Sequence, residues 1–157
     1  MKTLIIYDSR FGNTEKVANA IAKGIGKPGE VTVSKIGKEN FSDLKAINLL
    51  IIGSPTYGGR PTQPVQNLLN KISGNELKDK NVAAFDTRAE ADSFGLKLLI
   101  KVLGFAAPRI ALILKGKGGN LVATPEGFIV EGKEGPLKEG ELKRAEEWGR
   151  KIKNSKQ

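Results

Sequence analysis

The sequence predicts an α/β domain built on one doubly wound, five-stranded parallel sheet with helices on both faces. Three observations predict it. Short, wholly apolar runs such as Leu4-Ile5-Ile6 and Leu49-Leu50-Ile51-Ile52 alternate with segments whose apolar residues recur at helical spacing. Runs that are apolar throughout fit strands buried on both sides, as in a sheet covered by crossover helices. No internal repeat, low-complexity tract or linker divides the 157 residues, a length suited to one domain.

The elements follow in order. "TLIIYD" holds the first strand. After Ser9–Thr14, Val17, Ala18, Ile21 and Ile25 share one helix face, with Asn13 or Thr14 as the expected cap and Glu15 suited to the first turn. Gly24, Gly26, Pro28 and Gly29 are read as its end. Their literal G-x-G-x-x-G spacing follows a helix and precedes a strand, the reverse of a dinucleotide-binding context. Residues 31–36 alternate Val31 and Val33 with polar neighbours, an edge-strand pattern, and the 37–47 link has room for a short helix. "NLLIIGS" at 48–54 is the next buried strand. Val65, Leu68, Leu69 and Ile72 then mark a helix that Pro64 suits at its first turn.

The strand at 81–88 leads into a helix with a Leu96/Leu99/Ile100/Leu103 stripe, read as core-facing with Lys97 and Lys101 on a solvated side in preference to a membrane-surface or partner-binding helix. Residues 109–114, opened by Pro108, are read as a second short helix. Residues 120–123 and 127–130 form two pieces of a last strand, and Leu142, Ala145, Trp148 and Ile152 mark the closing helix. Right-handed crossovers bring three strand-to-helix loops, 9–14, 54–62 and 86–95, to the carboxyl edge of the sheet.

Composition narrows the chemistry. With neither cysteine nor histidine, the chain has no thiolate nucleophile, Ser-His-Asp triad or imidazole metal ligand. Difficult chemistry would have to come from a bound cofactor. No metal site is expected. Twenty-six Lys plus Arg against 17 Asp plus Glu give a basic protein of net charge +9, which favours anionic ligands or partners. No nucleic-acid-binding motif accompanies that charge. The start lacks the pattern of a secretory signal, and the apolar stretch 94–114 is broken by lysines, arginine, proline and glycine, so no integral membrane segment is expected. These features suggest a cytoplasmic location. The triplet Asn40-Phe41-Ser42 matches a glycosylation acceptor without a secretory context.

The loops carry the functional signal. "SRFGNT" places Ser9, Asn13 and Thr14 around Gly12 where a helix starts. Backbone N–H groups lack partners there, and the helix dipole favours an anion. Arg10 adds positive charge. The same residues could serve as a simple cap and turn. "SPTYGG" follows a buried strand and sets Tyr57 before Gly58 and Gly59, offering a flat ring beside a conformationally free backbone.

With "FDTR" at the end of the fourth strand and "PEGFIVEGKEGPLKEGEL" before the last helix, the chain resembles the flavodoxin family over nearly its whole length. The resemblance implies strand order 2-1-3-4-5, FMN as cofactor, and single-electron transfer between redox partner proteins by a monomer. It implies that Ser9, Arg10, Gly12, Asn13 and Thr14 hold the phosphate. Pro55, Thr56, Tyr57, Gly58 and Gly59 would form one wall of the flavin site, with the Tyr57-Gly58 peptide reorienting as the flavin changes redox state. Asp86, Thr87 and Arg88 would approach the other side. The chain departs from the family in two respects. "DTRAEADS" has no aromatic residue, leaving Phe94 as the nearest substitute, and the net charge is positive where many flavodoxins are acidic. Residues 91–120 carry five cations against Asp92 alone, which suggests partners with acidic surfaces. Two alternatives are a flavodoxin-like NAD(P)H-dependent quinone reductase, which needs a second pocket over the flavin, and a flavin-free adaptor of the same fold.

Overall fold

Strand β1 (Thr3–Tyr7) is buried along its whole length, and the computed structural model places it between two parallel neighbours, β2 (Val31–Lys35) and β3 (Leu49–Pro55). Residues 1–40, 42–91 and 93–155 are described; Phe41, Asp92 and the side chains of Ile100, Val102 and Leu103 lie outside that set. β4 (Asn81–Ala89) continues the parallel sheet beside β3. The far edge is filled in two pieces: β5 (Asn120–Leu121) pairs with Asn81 and Val82, and β6 (Glu126–Val130) pairs with Phe85–Ala89. The order is 2-1-3-4-5 with the fifth position split between β5 and β6, as the two apolar pieces in the sequence predict.

The helices are α1 (Asn13–Ile25), α2 (Asp43–Ala46), α3 (Gln63–Lys71), α4 (Phe94–Leu103), α5 (Ala106–Gly116) and α6 (Glu141–Asn154). Alternation along β1 and β3 supplies a core on each face. Ile5 and Ile51 join Val17, Ile21 and Trp148 under α1 and α6. Leu4, Ile6, Leu50 and Ile52 join Val65, Leu69, Ile110 and Leu114 under α3 and α5. Phe85, Phe128 and Trp148 meet edge-to-face at centroid distances of 6.3 to 6.4 Å. Gly53 makes room for this cluster, since a Cβ there would sit 2.1 Å from Phe85 Cζ.

Three sequence expectations are corrected. Gly24 does not end the first helix, which runs to Ile25. It lies at the α1–α6 contact, where a Cβ would meet the Glu146 carbonyl oxygen at 2.0 Å. On α6, Leu142 is 44% exposed while Glu141 is buried, because Glu141 bonds to β6. The Leu96/Leu99 stripe is not in the core either: these residues are 36% and 52% exposed. The sheet face beside β4 is covered instead by α5, whose Ala106, Ala107, Ile110, Ala111 and Leu114 are buried. Small residues let α5 sit close to the strands, and α4 is left outside.

Candidate functional site

The loops after β1, β3 and β4 converge with residues 131–133 around an open cavity of about 490 Å³. This volume lies within the usual range for small-molecule sites. Of the residues singled out from sequence, Arg10, Asn13, Thr14, Pro55, Thr56, Tyr57, Thr87 and Arg88 line it.

The first turn of α1 is open to a ligand. Gly12, not Asn13 or Thr14, occupies the cap position, with φ of 90°, and no side chain caps the helix. Only glycine adopts that conformation without strain. The expected caps are engaged elsewhere. Asn13 Nδ2 donates to the Glu134 carbonyl at 2.9 Å, and Thr14 Oγ1 shares a 2.8 Å hydrogen bond with Thr87 Oγ1. One hydroxyl proton is used between Thr14 and Thr87, so the other can be donated. Ser9 is buried, and its Oγ accepts the Gly12 N–H at 3.0 Å, leaving its own proton to donate. The loop is held from behind by Asp8, which accepts the Ser9 N–H at 2.9 Å and the Thr62 hydroxyl at 2.6 Å.

The second loop is a tight hairpin. Tyr57 and Arg60 exchange backbone hydrogen bonds of 3.0 and 3.1 Å, and Gly58 and Gly59 between them have φ of 57° and 74°. Two consecutive left-handed residues are the requirement of a type I′ turn. Arg10 Cζ lies 4.8 Å from the Tyr57 ring centroid, joining the first loop to the second. The Thr56 N–H donates to the Thr87 carbonyl at 2.8 Å, joining the second loop to the third.

Two residues expected at the flavin do other work. Asp86 has no exposed surface and is not among the cavity-lining residues. Its carboxylate accepts from Arg88 Nε and Nη2, both at 2.7 Å, and from the Ala107 N–H at 2.9 Å. Burial pushes its pKa up, opposed by those donors. Thr56 Oγ1 accepts the neighbouring Ala106 N–H at 3.0 Å. Asp86 and Thr56 therefore cap α5 from other elements, which explains a helix start with no local cap. Phe94 is 83% exposed and does not line the cavity; among the described residues of α4, Leu96 does. Gly58 and Gly59 line an adjoining groove of about 180 Å³ with Leu96, Leu99 and Phe105.

Sequence reasoning missed Phe11, Ala89, Glu90, Leu96 and the 130–133 segment, all at the cavity. The last is brought in by a contact without local signature: a Cβ on Gly135 would sit 2.9 Å from the Asn13 amide atoms. Lys133 thus joins Arg10 at the rim. Glu90 is paired with Lys138 at 2.6 Å and Arg88 with Asp86, so those two lining charges are balanced. No group of described residues could hold a metal ion.

Comparison with known proteins gives a consistent picture. Residues 5–148 match the family model described as Flavodoxin. Among its relatives, the flavodoxin of Clostridium saccharobutylicum is 30% identical over 89 residues, covering 55% of this chain and 56% of its own. The flavodoxin of Aquifex aeolicus is 30% identical over 91 residues, covering 55% and 49%. Diflavin flavoprotein A 6 of Nostoc sp. is 38% identical over 88 residues, which are 52% of this chain and 15% of that protein. The chain thus matches about half or less of the length of these relatives. In fold it is similar to a flavodoxin from the domain Archaea, with a TM-score of 0.78 at 21% identity, 98% of this chain and 97% of that one being covered. It is also similar to part of the rubredoxin oxygen:oxidoreductase of Desulfovibrio gigas, with a TM-score of 0.73 at 23% identity, over 98% and 35%.

Proposed function

The chain belongs to the flavodoxin family and its cofactor is FMN; from that premise we propose that it is a single-electron carrier between redox proteins. The observation that carries this reading is the uncapped first turn of α1, opening into a cavity that three hydrogen-bonded loops enclose. The residues present fit the cofactor. The first-turn N–H groups of α1 and the hydroxyls of Ser9 and Thr14 supply donors for a phosphate, and Arg10 supplies charge. Tyr57 offers a ring for stacking, Thr56 and Thr87 supply polar atoms, and Gly132 and Lys133 close the remaining side. When bound, FMN supplies the redox chemistry. The protein orients it and fixes its electrostatic surroundings. Gly58 keeps the backbone beside Tyr57 free to change conformation.

The test is a fluorescence titration with FMN and with riboflavin, which lacks the phosphate. Ser9→Ala with Thr14→Ala should remove two charge-assisted hydrogen bonds, each worth about 1.5–3 kcal/mol. Riboflavin should bind far more weakly than FMN and should not respond to the double substitution. Equal affinities for the two flavins would exclude this loop as the phosphate site.

A second reading, an NAD(P)H-dependent quinone reductase, is favoured by one observation. The groove of about 180 Å³ lined by Gly58, Gly59, Leu96, Leu99 and Phe105 adjoins the cavity, as a second pocket for such an enzyme would. Sustained NADH oxidation by the FMN-loaded protein with a soluble quinone would select it. Absence of turnover, with rapid electron exchange to a redox protein, supports the carrier. For either function we propose a cytoplasmic setting; no helix among the described residues is long and apolar enough to cross a membrane.

A further inference from the structure

Among the described residues, no element packs extensively against α4. Its Phe94, Leu96, Leu98 and Leu99 are 83%, 36%, 54% and 52% exposed. At about 100° per residue these four fan over roughly 200° of the helix circumference, about twice the stripe by which a surface helix meets a core. Lys97 and Lys101 fall within the remaining arc. From Ser93 to Pro125 the chain carries Lys97, Lys101, Arg109, Lys115 and Lys117 and no Asp or Glu. Ser93 Oγ accepts the Leu96 N–H at 3.1 Å, so the helix has a defined start although little packs on it.

We propose that α4 is a monotopic anchor that lies in the interface of an anionic lipid bilayer. The width of the apolar arc decides for lipid over a protein groove. A groove covers one stripe, whereas acyl chains are fluid and surround an apolar surface without shape complementarity. The lysines extend their aliphatic stems along the helix and set their ammonium groups among phosphate headgroups. No acid lies in the chain between 93 and 125, and of the two carboxylates that share the cavity wall with Leu96, Glu90 and Glu131, the first is paired with Lys138. With ten residues, α4 lies on the membrane and does not span it. Leu96 belongs to both α4 and the cavity wall, so anchoring holds the cavity beside the bilayer. Phe11, at the same cavity and 43% exposed, extends the apolar border. The anchor does not depend on which redox function the site performs.

The test is flotation of the FMN-loaded chain with phosphatidylcholine vesicles, with and without about 30% phosphatidylglycerol, across a salt series. The protein should float with the anionic vesicles at low salt and less so at high salt or on neutral lipid. Lys97→Gln with Lys101→Gln should lower partition about 25-fold, roughly fivefold per lysine. Leu98→Glu, at an exposed position outside the cavity, should lower it about tenfold or more with the flavin spectrum and far-ultraviolet circular dichroism unchanged. Failure of the parent protein to float with anionic vesicles overturns the proposal, as does equal flotation of Leu98→Glu. A dimer in sedimentation that Leu98→Glu dissociates, without vesicle binding, would show that a second copy covers this face instead.

Discussion

Asp86 has no exposed surface, and both its carboxylate oxygens are engaged by Arg88 and the start of α5. Removing it leaves Arg88 without its partner against the Phe105 ring, 3.4 Å from Cζ to centroid, and leaves an α5 N–H unsatisfied. Asp86→Ala should therefore cost about 3–5 kcal/mol in urea unfolding of the apoprotein. Asp86→Asn, which keeps an acceptor, should cost less. Gly58 makes the opposite point. A Cβ there would meet nothing within 4 Å, so the φ of 57° alone demands glycine. Gly58→Ala should cost about 1–2 kcal/mol for holding an L-residue in the left-handed region, measured the same way. The sequence placed both residues at the sheet edge. It could not say that Asp86 turns inward, because one donor that draws it, the Ala107 N–H, is brought there by the docking of α5.

The contact between α1 and α6 depends on two glycines. A Cβ on Gly24 would lie 2.0 Å from the Glu146 carbonyl oxygen, and one on Gly149 would lie 2.4 Å from that of Ile21. Backbone cannot yield as a side-chain tip can, so Gly24→Ala must push the helices apart. It should destabilise the fold by about 1–3 kcal/mol even though alanine favours helix. A gain in thermal stability would show that the helices separate freely. The other end of α6 is fastened by Glu141, which accepts from Arg144 Nε at 2.9 Å and from the Ile129 N–H of β6 at 2.6 Å. Burial alone would raise its pKa, but the bonds from Arg144 and Ile129 outweigh it and hold the carboxyl below its ordinary value. A depressed carboxylate stabilises the fold above its unfolded pKa, and that stability is lost as pH falls through the folded value. Glu141→Gln should cost about 1–3 kcal/mol at pH about 7, and the gap to the parent should narrow toward pH about 3 in thermal melts.

At the scale of the whole molecule, the net charge of +9 leads to a prediction about encounter. Long-range attraction should make electron transfer to an acidic redox protein faster than to a basic one of equal driving force at low salt. The advantage, about 10- to 1000-fold at most, should shrink as salt is added. Faster transfer to the basic acceptor would assign the exposed flavin edge to a locally acidic surface. The sequence by itself determined the sheet, its split last strand and the three loops at its carboxyl edge. Apolar runs, helical spacing and glycine placement are local consequences of what each segment must bury. Tertiary structure alone decided which of the two apolar helices between 94 and 116 covers the sheet. Both segments carry enough apolar residues to do so. The small side chains of α5 and the capping of its first turn by Thr56 and Asp86 give it the position, and α4 is left with Phe94, Leu98 and Leu99 toward solvent. Tertiary structure likewise brought Lys133 to the site, because the pairing of Asn13 with the backbone at Glu134 spans 121 residues and leaves no periodic trace in the chain.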